Sequence, residues 1–231
     1  MNLQLTLTPL PAFTDNYIWM LHDGHKALVV DPGDAAVVFD ALQRLSLRLE
    51  TILVTHHHVD HTGGVAELRE ATGAAVFGPL TEVTPEPIRR LQGGDNMQAL
   101  GLTFNVIDVP GHTSGHIVYY CEQLQGKTKD GAPILFCGDT LFSAGCGRLF
   151  EGTPSQMLSS LNKWSALPSS TRVCCTHEYR LSNLKFAREL QINPFFRSDQ
   201  AEVVHAAQQL DPTAIGAMGV FTAIRQRKNN F

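Results

Sequence analysis

The sequence has no excess of basic residues, no C-x-x-C pair and no long apolar run, and each absence narrows what the chain can be. Its 231 residues carry 18 Lys and Arg against 22 Asp and Glu, a net charge of −4. A nucleic-acid binder shows the opposite balance, so nucleic acid is not expected as a partner. A small negative balance does not bar an anionic small molecule, because local cations can still hold it. The five cysteines, Cys121, Cys137, Cys146, Cys174 and Cys175, are odd in number and two of them are adjacent. A disulfide framework is therefore not expected, and a reducing compartment is. As isolated thiols they read as small buried hydrophobes. The opening residues, MNLQLTLTPLPAFTDNY, have neither the basic start nor the apolar stretch of a signal peptide. No run nears the ~18 apolar residues that a bilayer requires. The expected location is the cytoplasm, with no membrane association.

What is present is an ordinary globular composition, 43% apolar, in a length that suits one large domain with a smaller appendage. Leu3 to Thr8 alternates as a half-buried strand does, and Ala27 to Val30 is a short apolar run closed by the turn Asp31-Pro32-Gly33. Asp34 is placed to cap a helix reaching Leu45, with Ala35, Val38, Phe39 and Leu42 near helical spacing. Further strands are expected at Thr51–Thr55, Ala75–Phe77, Leu102–Val109, Ile117–Cys121, Pro133–Cys137 and Arg172–Cys174. Helices are expected over Thr62–Thr72 and Pro154–Ala166, the proline suiting a first helical turn. Interleaved strands and helices predict an α/β (α+β) chain of helices layered on sheet. After about Tyr179 the pattern turns helical, through Leu181–Leu190, Gln200–Leu210 and Pro212–Lys228. Two parts are expected: 1–178, metal-binding, and 179–231, a small helical subdomain.

The chemistry concentrates in Thr55-His56-His57-His58-Val59-Asp60-His61, which packs four histidines and a carboxylate into seven residues. A polar surface loop is the plain alternative, but this run leaves the end of a buried strand, where α/β proteins place ligand sites. Imidazole and carboxylate suit zinc and similar divalent ions. One ion takes three or four protein ligands, so five candidates suggest two sites. His112, Asp139 and His177 also follow apolar strands, in Gly111-His112-Thr113-Ser114-Gly115-His116, Gly138-Asp139-Thr140 and Thr176-His177-Glu178. Four strand-end placements of ligand-type residues make coincidence a poor account.

This H-x-H-x-D-H run, with His, Asp and His further along, resembles the metallo-β-lactamase superfamily. The resemblance implies an αββα sandwich binding two divalent metals, zinc first, with iron or manganese also accepted. It assigns His56, His58 and His112 to one metal, Asp60, His61 and His177 to the other, and Asp139 to both. His57 matches no ligand position and is expected in an outer or solvent-facing place, while Asp31 would support the metal loop. Paired metals ~3.5–4 Å apart share and acidify a water, which points to hydrolysis of an ester, thioester, amide or phosphate. Asp60 would in addition orient that water or take its proton.

Other segments narrow the substrate. Thr14-Asp15-Asn16-Tyr17, the Gly145-Cys146-Gly147-Arg148 stretch, Thr176-His177-Glu178-Tyr179 with Asn183-Leu184-Lys185, and the basic end from Ile224 to Phe231 resemble glyoxalase II, the hydroxyacylglutathione hydrolases. The resemblance implies hydrolysis of S-D-lactoylglutathione to glutathione and D-lactate in methylglyoxal detoxification; a monomer is expected, though the sequence leaves oligomeric state open. It assigns the glutathione contacts to Arg148, Tyr179, Arg225 and Lys228; cations there match the two carboxylates of glutathione. Arg225 and Lys228 are three apart, on one helical face. Two departures stand out: Phe150 lies where some relatives have Tyr, and the stretch from Phe186 to Asn193 is shorter by about a helix and its loop. The rivals are a single-iron persulfide dioxygenase, which would not need Asp60, His61 and His177 together, and a non-catalytic glutathione binder, which would lose ligands. A nuclease or β-lactamase would lack the G-C-G-R segment and the basic end.

Overall fold

A computed structural model describes residues 4–122, 124, 127–164, 166–177 and 186–229. Strands β1 (Thr6–Ala12), β2 (Asn16–His22) and β3 (Lys26–Val30), helix α1 (Ala35–Leu45), strand β4 (Arg48–Leu53), helices α2 (Val59–Thr62) and α3 (Val65–Thr72), and strands β5 (Ala75–Pro79) and β6 (Arg89–Leu91) form the first half. The second half contains β7 (Asn96–Ala99), β8 (Leu102–Asp108), β9 (Ile117–Cys121), β10 (Ile134–Gly138), β11 (Leu141–Phe142), β12 (Gly145–Cys146), α4 (Pro154–Asn162) and β13 (Arg172–Cys175). Helices α5 (Phe186–Ile192), α6 (Ala201–Leu210) and α7 (Gly216–Asn229) follow.

The first sheet runs β1-β2-β3-β4-β5-β6 and the second β13-β10-β9-β8-β7. Their inner faces meet through Leu21, Leu28, Leu53, Phe104, Tyr119 and Phe136. Val38, Leu42 and Leu68 cover the outer face of the first sheet, and Met157, Leu161, Trp164 and Phe221 that of the second. The result is the expected αββα sandwich with helices appended at its C-terminal end. Each buried aliphatic or aromatic side chain contributes about 1.5–3 kcal/mol, so the sheets form a stiff frame for whatever stands at their edge.

Local signals explain most elements. Asp34 caps α1 by accepting the Ala36 amide at 2.9 Å, as its position predicts. Thr153 and Gln156 close a capping box ahead of Pro154. β1 runs on to Ala12 through Pro9 and Pro11, which an edge strand tolerates because its outer amides need no partner. The helix expected over Thr62–Thr72 starts instead at Val65, since Gly63-Gly64 separates it from the short α2. The last helix begins at Gly216 instead of Pro212: Asp211 Oδ1 accepts both the amide and the hydroxyl of Thr213 (2.9 and 2.6 Å), a turn that competes with helix. None of the five cysteines forms a disulfide. The part of the Leu181–Leu190 expectation before Phe186 lies outside the described residues.

Candidate metal centre

The sandwich edge gathers the histidines because β4, β8, β10 and β13 all end there. His56 follows β4 by three residues, His112 follows β8 by four, Asp139 directly follows β10, and His177 follows β13 by two. Gly138 makes the step from β10 into Asp139: its φ is +48°, and a Cβ there would fall 2.4 Å from Thr55 Oγ1. His56, His61, His112 and Asp139 are buried and His58 half-buried, so the protein spends scarce interior space on polar groups.

Three groups of ligand atoms form within 4.8 Å of one another: His56, His58 and His112; Asp60, His61 and His177; and His56, His61 and Asp139. The seven expected ligands therefore converge. In the first group His58 Nδ1 lies 3.1 Å from both His56 Nε2 and His112 Nε2. Burial lowers His56 well below its ordinary pKa and His112 to about 4, and it lowers His58 too, so all three are neutral imidazoles. In the second group the carboxylates dominate. Burial opposes protonation of His61 and His177, but Asp139 and Asp31 on the first, and Asp139 and Asp60 on the second, outweigh it and raise each to about 10. Burial likewise disfavours a charged Asp60, yet His177, His61 and Asn16 hold its carboxyl below the usual range. Protons here stand where the positive charge of a metal would. His61 Nε2 and Asp139 Oδ1 are buried 3.3 Å apart without a regular hydrogen bond. Orphaned donors and lone pairs of this kind, in a His/Asp set, fit two divalent ions.

Outer partners fix the ligand rings. Asp31, held at a positive φ of 53°, accepts the Thr55 amide (2.7 Å) and hydroxyl (2.8 Å) and reaches within 3.1 Å of His61 Nδ1. This is the support expected of it. The Arg148 carbonyl lies 2.7 Å from His112 Nδ1, Asp15 lies 3.5 Å from His177 Nδ1, and Asn16 donates to Asp60 at 3.0 Å. Asp15, Asn16 and His116 sit inside the sequence motifs, yet no local pattern marks their roles. His116, kept neutral by burial, accepts the Asp139 amide through Nε2 at 3.2 Å and stacks on His56 at 4.6 Å. His57 is not solvent-facing alone: its ring sits between Glu82 (3.0 Å) and Glu151 (3.3 Å).

A cavity of about 880 Å³ opens on this cluster, and its lining extends from His58, Asp60, His112, Asp139 and His177 to Arg148, Arg225 and Lys228. Arg148 is exposed, with its guanidinium 5.9 Å above the Phe150 ring. Arg225 departs from the picture of a free basic helix end. It is buried, and its Nη1 donates to the carbonyls of Cys146 (2.7 Å) and Gly147 (3.3 Å), while Nε has no partner. Lys228 Nζ donates to the Ala144 carbonyl at 3.1 Å. Tyr179 lies outside the described residues.

Fold and site together define the class, that of the metallo-β-lactamase superfamily, whose profile matches residues 12–177. A profile for the C-terminus of hydroxyacylglutathione hydrolase matches residues 186–231. A hydroxyacylglutathione hydrolase from Albidiferax ferrireducens is 57% identical over 98% of this chain and 100% of its own length. That alignment spans 260 positions against 231 residues here, so about thirty positions of the relative have no counterpart. Among solved structures, ETHE1 from Myxococcus xanthus is 26% identical with a TM-score of 0.72, over 96% of this chain and 98% of that one. TTHA1623 in a di-iron-bound form is 29% identical with a TM-score of 0.67, over 81% and 99%. The chain belongs to the hydroxyacylglutathione hydrolase family and is an enzyme, a hydrolase.

Proposed function

We propose that the chain hydrolyses S-D-lactoylglutathione to glutathione and D-lactate, the closing step in removal of methylglyoxal. The observation that carries this reading is the cavity itself, with a two-cluster metal centre and three basic side chains in one lining. A glutathione thioester has the matching shape, carboxylates at the far end of the tripeptide and a carbonyl at the near end. Arg148, Lys228 and Arg225, with Tyr179, hold the tripeptide carboxylates by charge-assisted hydrogen bonds. Phe142, Phe150 and Val59 line the space between and shed water from it. His56, His58, His112, Asp60, His61, His177 and Asp139 hold two divalent ions, zinc foremost, with iron and manganese compatible with the same donors. Such ions supply an acidified water and polarise a carbonyl oxygen. Asp60, steadied by Asn16, would orient that water or take its proton. The leaving thiolate is stable enough to depart without a strong general acid.

Residues 1–178 form the metal-binding domain in this reading and 179–231 the helical part that completes the substrate site. The enzyme works as a cytoplasmic monomer; among the described residues no helix is long and apolar enough to cross a membrane. Elemental analysis of the fully loaded chain is expected to find two metals, and an assay on S-D-lactoylglutathione to show thioester loss with release of free thiol. One metal per chain, no thioester cleavage, and oxygen uptake with glutathione persulfide would replace this reading with the dioxygenase one.

A further inference from the structure

Glu82 stands in the loop between β5 and β6, outside every motif, yet its side chain is only 2% exposed. Its Oε1 accepts the Thr113 hydroxyl and the Gly115 amide, the latter at 3.0 Å. Its Oε2 lies 3.0 Å from His57 Nδ1. The other nitrogen of that ring, Nε2, lies 3.3 Å from Glu151 Oε1, and Glu151 Oε2 accepts the Ser114 amide at 2.8 Å. Arg90 Nη1 pins the loop from behind by donating to the carbonyls of Pro79 (3.0 Å) and Glu82 (2.6 Å) and to Thr84 Oγ1 (2.9 Å). Glycine is required at 115, where a Cβ would fall 2.6 Å from Glu82 Cγ. One buried carboxylate thus ties the segment bearing His56 and His58 to the segment bearing His112, 54 residues beyond His58.

We propose that Glu82 is a positioning residue for the three-histidine cluster, setting the distance between two segments that must each deliver ligands to one ion. Sheet hydrogen bonds fix β4 and β8, but these ligands stand three to five residues past the strand ends. Glu82 adds a side-chain cross-tie beyond the backbone bond from the Ile117 amide to the Thr55 carbonyl (3.0 Å). His57, Glu82 and Glu151 also bring ligand atoms within 4.8 Å, but each Glu82 oxygen already faces a protein donor, which favours a clamp over a third cation. The inference rests on His56, His58 and His112 being metal ligands.

The test is a cobalt titration of the stripped full-length chain against a competing chelator, with the visible spectrum and the metal-free melting temperature recorded alongside. Glu82→Ala should weaken one of the two cobalt ions by about 10- to 100-fold, as loss of an outer partner does, and alter the spectrum of that ion. Glu82→Gln keeps an acceptor for Thr113 and Gly115, and its amide can face the other tautomer of His57; it should restore most of the affinity. Should Glu82→Ala fail to fold, Thr113→Val, which removes a single donor, must still lower affinity severalfold. Parent affinity and spectrum in Glu82→Ala would overturn the proposal. So would equal losses in both Glu82 variants that merely follow the metal-free melting temperature, or the loss of a third cobalt equivalent. His58→Ala is the control on the premise: if it retains both ions at parent affinity, the ligand assignment fails and the proposal with it.

Discussion

The two ends of the cavity are built on different foundations. At the candidate metal end, the His and Asp side chains leave four strand ends of a double sheet whose interior is closed by Leu53, Phe104 and Phe136, and His56 and His61 are fully buried. At the cationic end, Arg225 and Lys228 come from the last helix, which reaches the sandwich through Phe221 and through a few bonds to the carbonyls of Ala144, Cys146 and Gly147. The first end is positioned by the core of the molecule, the second by the docking of one helix. Damage to the chemistry should therefore come from changes at the first end, and damage to recognition from changes at the second.

The sharpest way to break this comparison is Asp139→Ala. The Asp139 carboxylate reaches His61 (3.3 Å), His112 (3.4 Å) and His177 (3.2 Å), so its loss disturbs both ligand groups at once. Loss of an outer partner costs 10- to 100-fold, so a shared ligand should cost about a thousandfold in kcat. His57→Ala removes only one of three handles on Glu82 and should cost far less. Comparable losses of kcat, with metal retained in both variants, would show that the ligand assignment is wrong.

The two ligand groups should also respond differently to pH. His61 and His177, raised to about 10, favour the metal-free fold fully below their unfolded value near 6.5, and that stability is lost as pH rises through 10. Metal must displace those two protons, so affinity at the second site should rise between pH 6.5 and 10 by up to about a hundredfold per unit. The neutral His56, His58 and His112 release none in that range. Calorimetry in buffers of different ionisation enthalpy counts the protons; none released at pH 8 would remove the contrast.

The smallest effect belongs to the cationic end. Replacing Arg225 and Lys228 together by alanine should raise KM for S-D-lactoylglutathione by roughly tenfold with little change in kcat, and salt should weaken the parent more than the variant. Because Arg225 is buried against Cys146 and Gly147, the double variant should also melt earlier than Lys228→Ala alone. An unchanged KM and salt response would detach this helix from glutathione recognition and favour a smaller or uncharged thioester.

The sequence itself marked the candidate ligands and most of the frame through local pattern, while the division of those ligands between two ions came from the family resemblance. Histidines one and two residues apart share a loop, apolar runs of about five closed by turn signals read as strands, and Asp34 and Thr153 cap the helices that follow them. β2 (Asn16–His22) escaped because it is buried on both faces and shows no alternation, and β6 and β7 because three or four residues carry no period. Tertiary structure alone decided the rest. Glu82 sits in a Thr-Glu-Val-Thr-Pro stretch that reads as a solvated loop, and only the approach of the Thr113–Gly115 segment, over thirty residues away, makes it a buried tie. Arg225 reads as the exposed end of a basic helix until the Gly145–Gly147 loop folds over it. A single polar residue has no periodicity, so its partner is fixed only where the packed sheets bring distant chain together and water is excluded from between them.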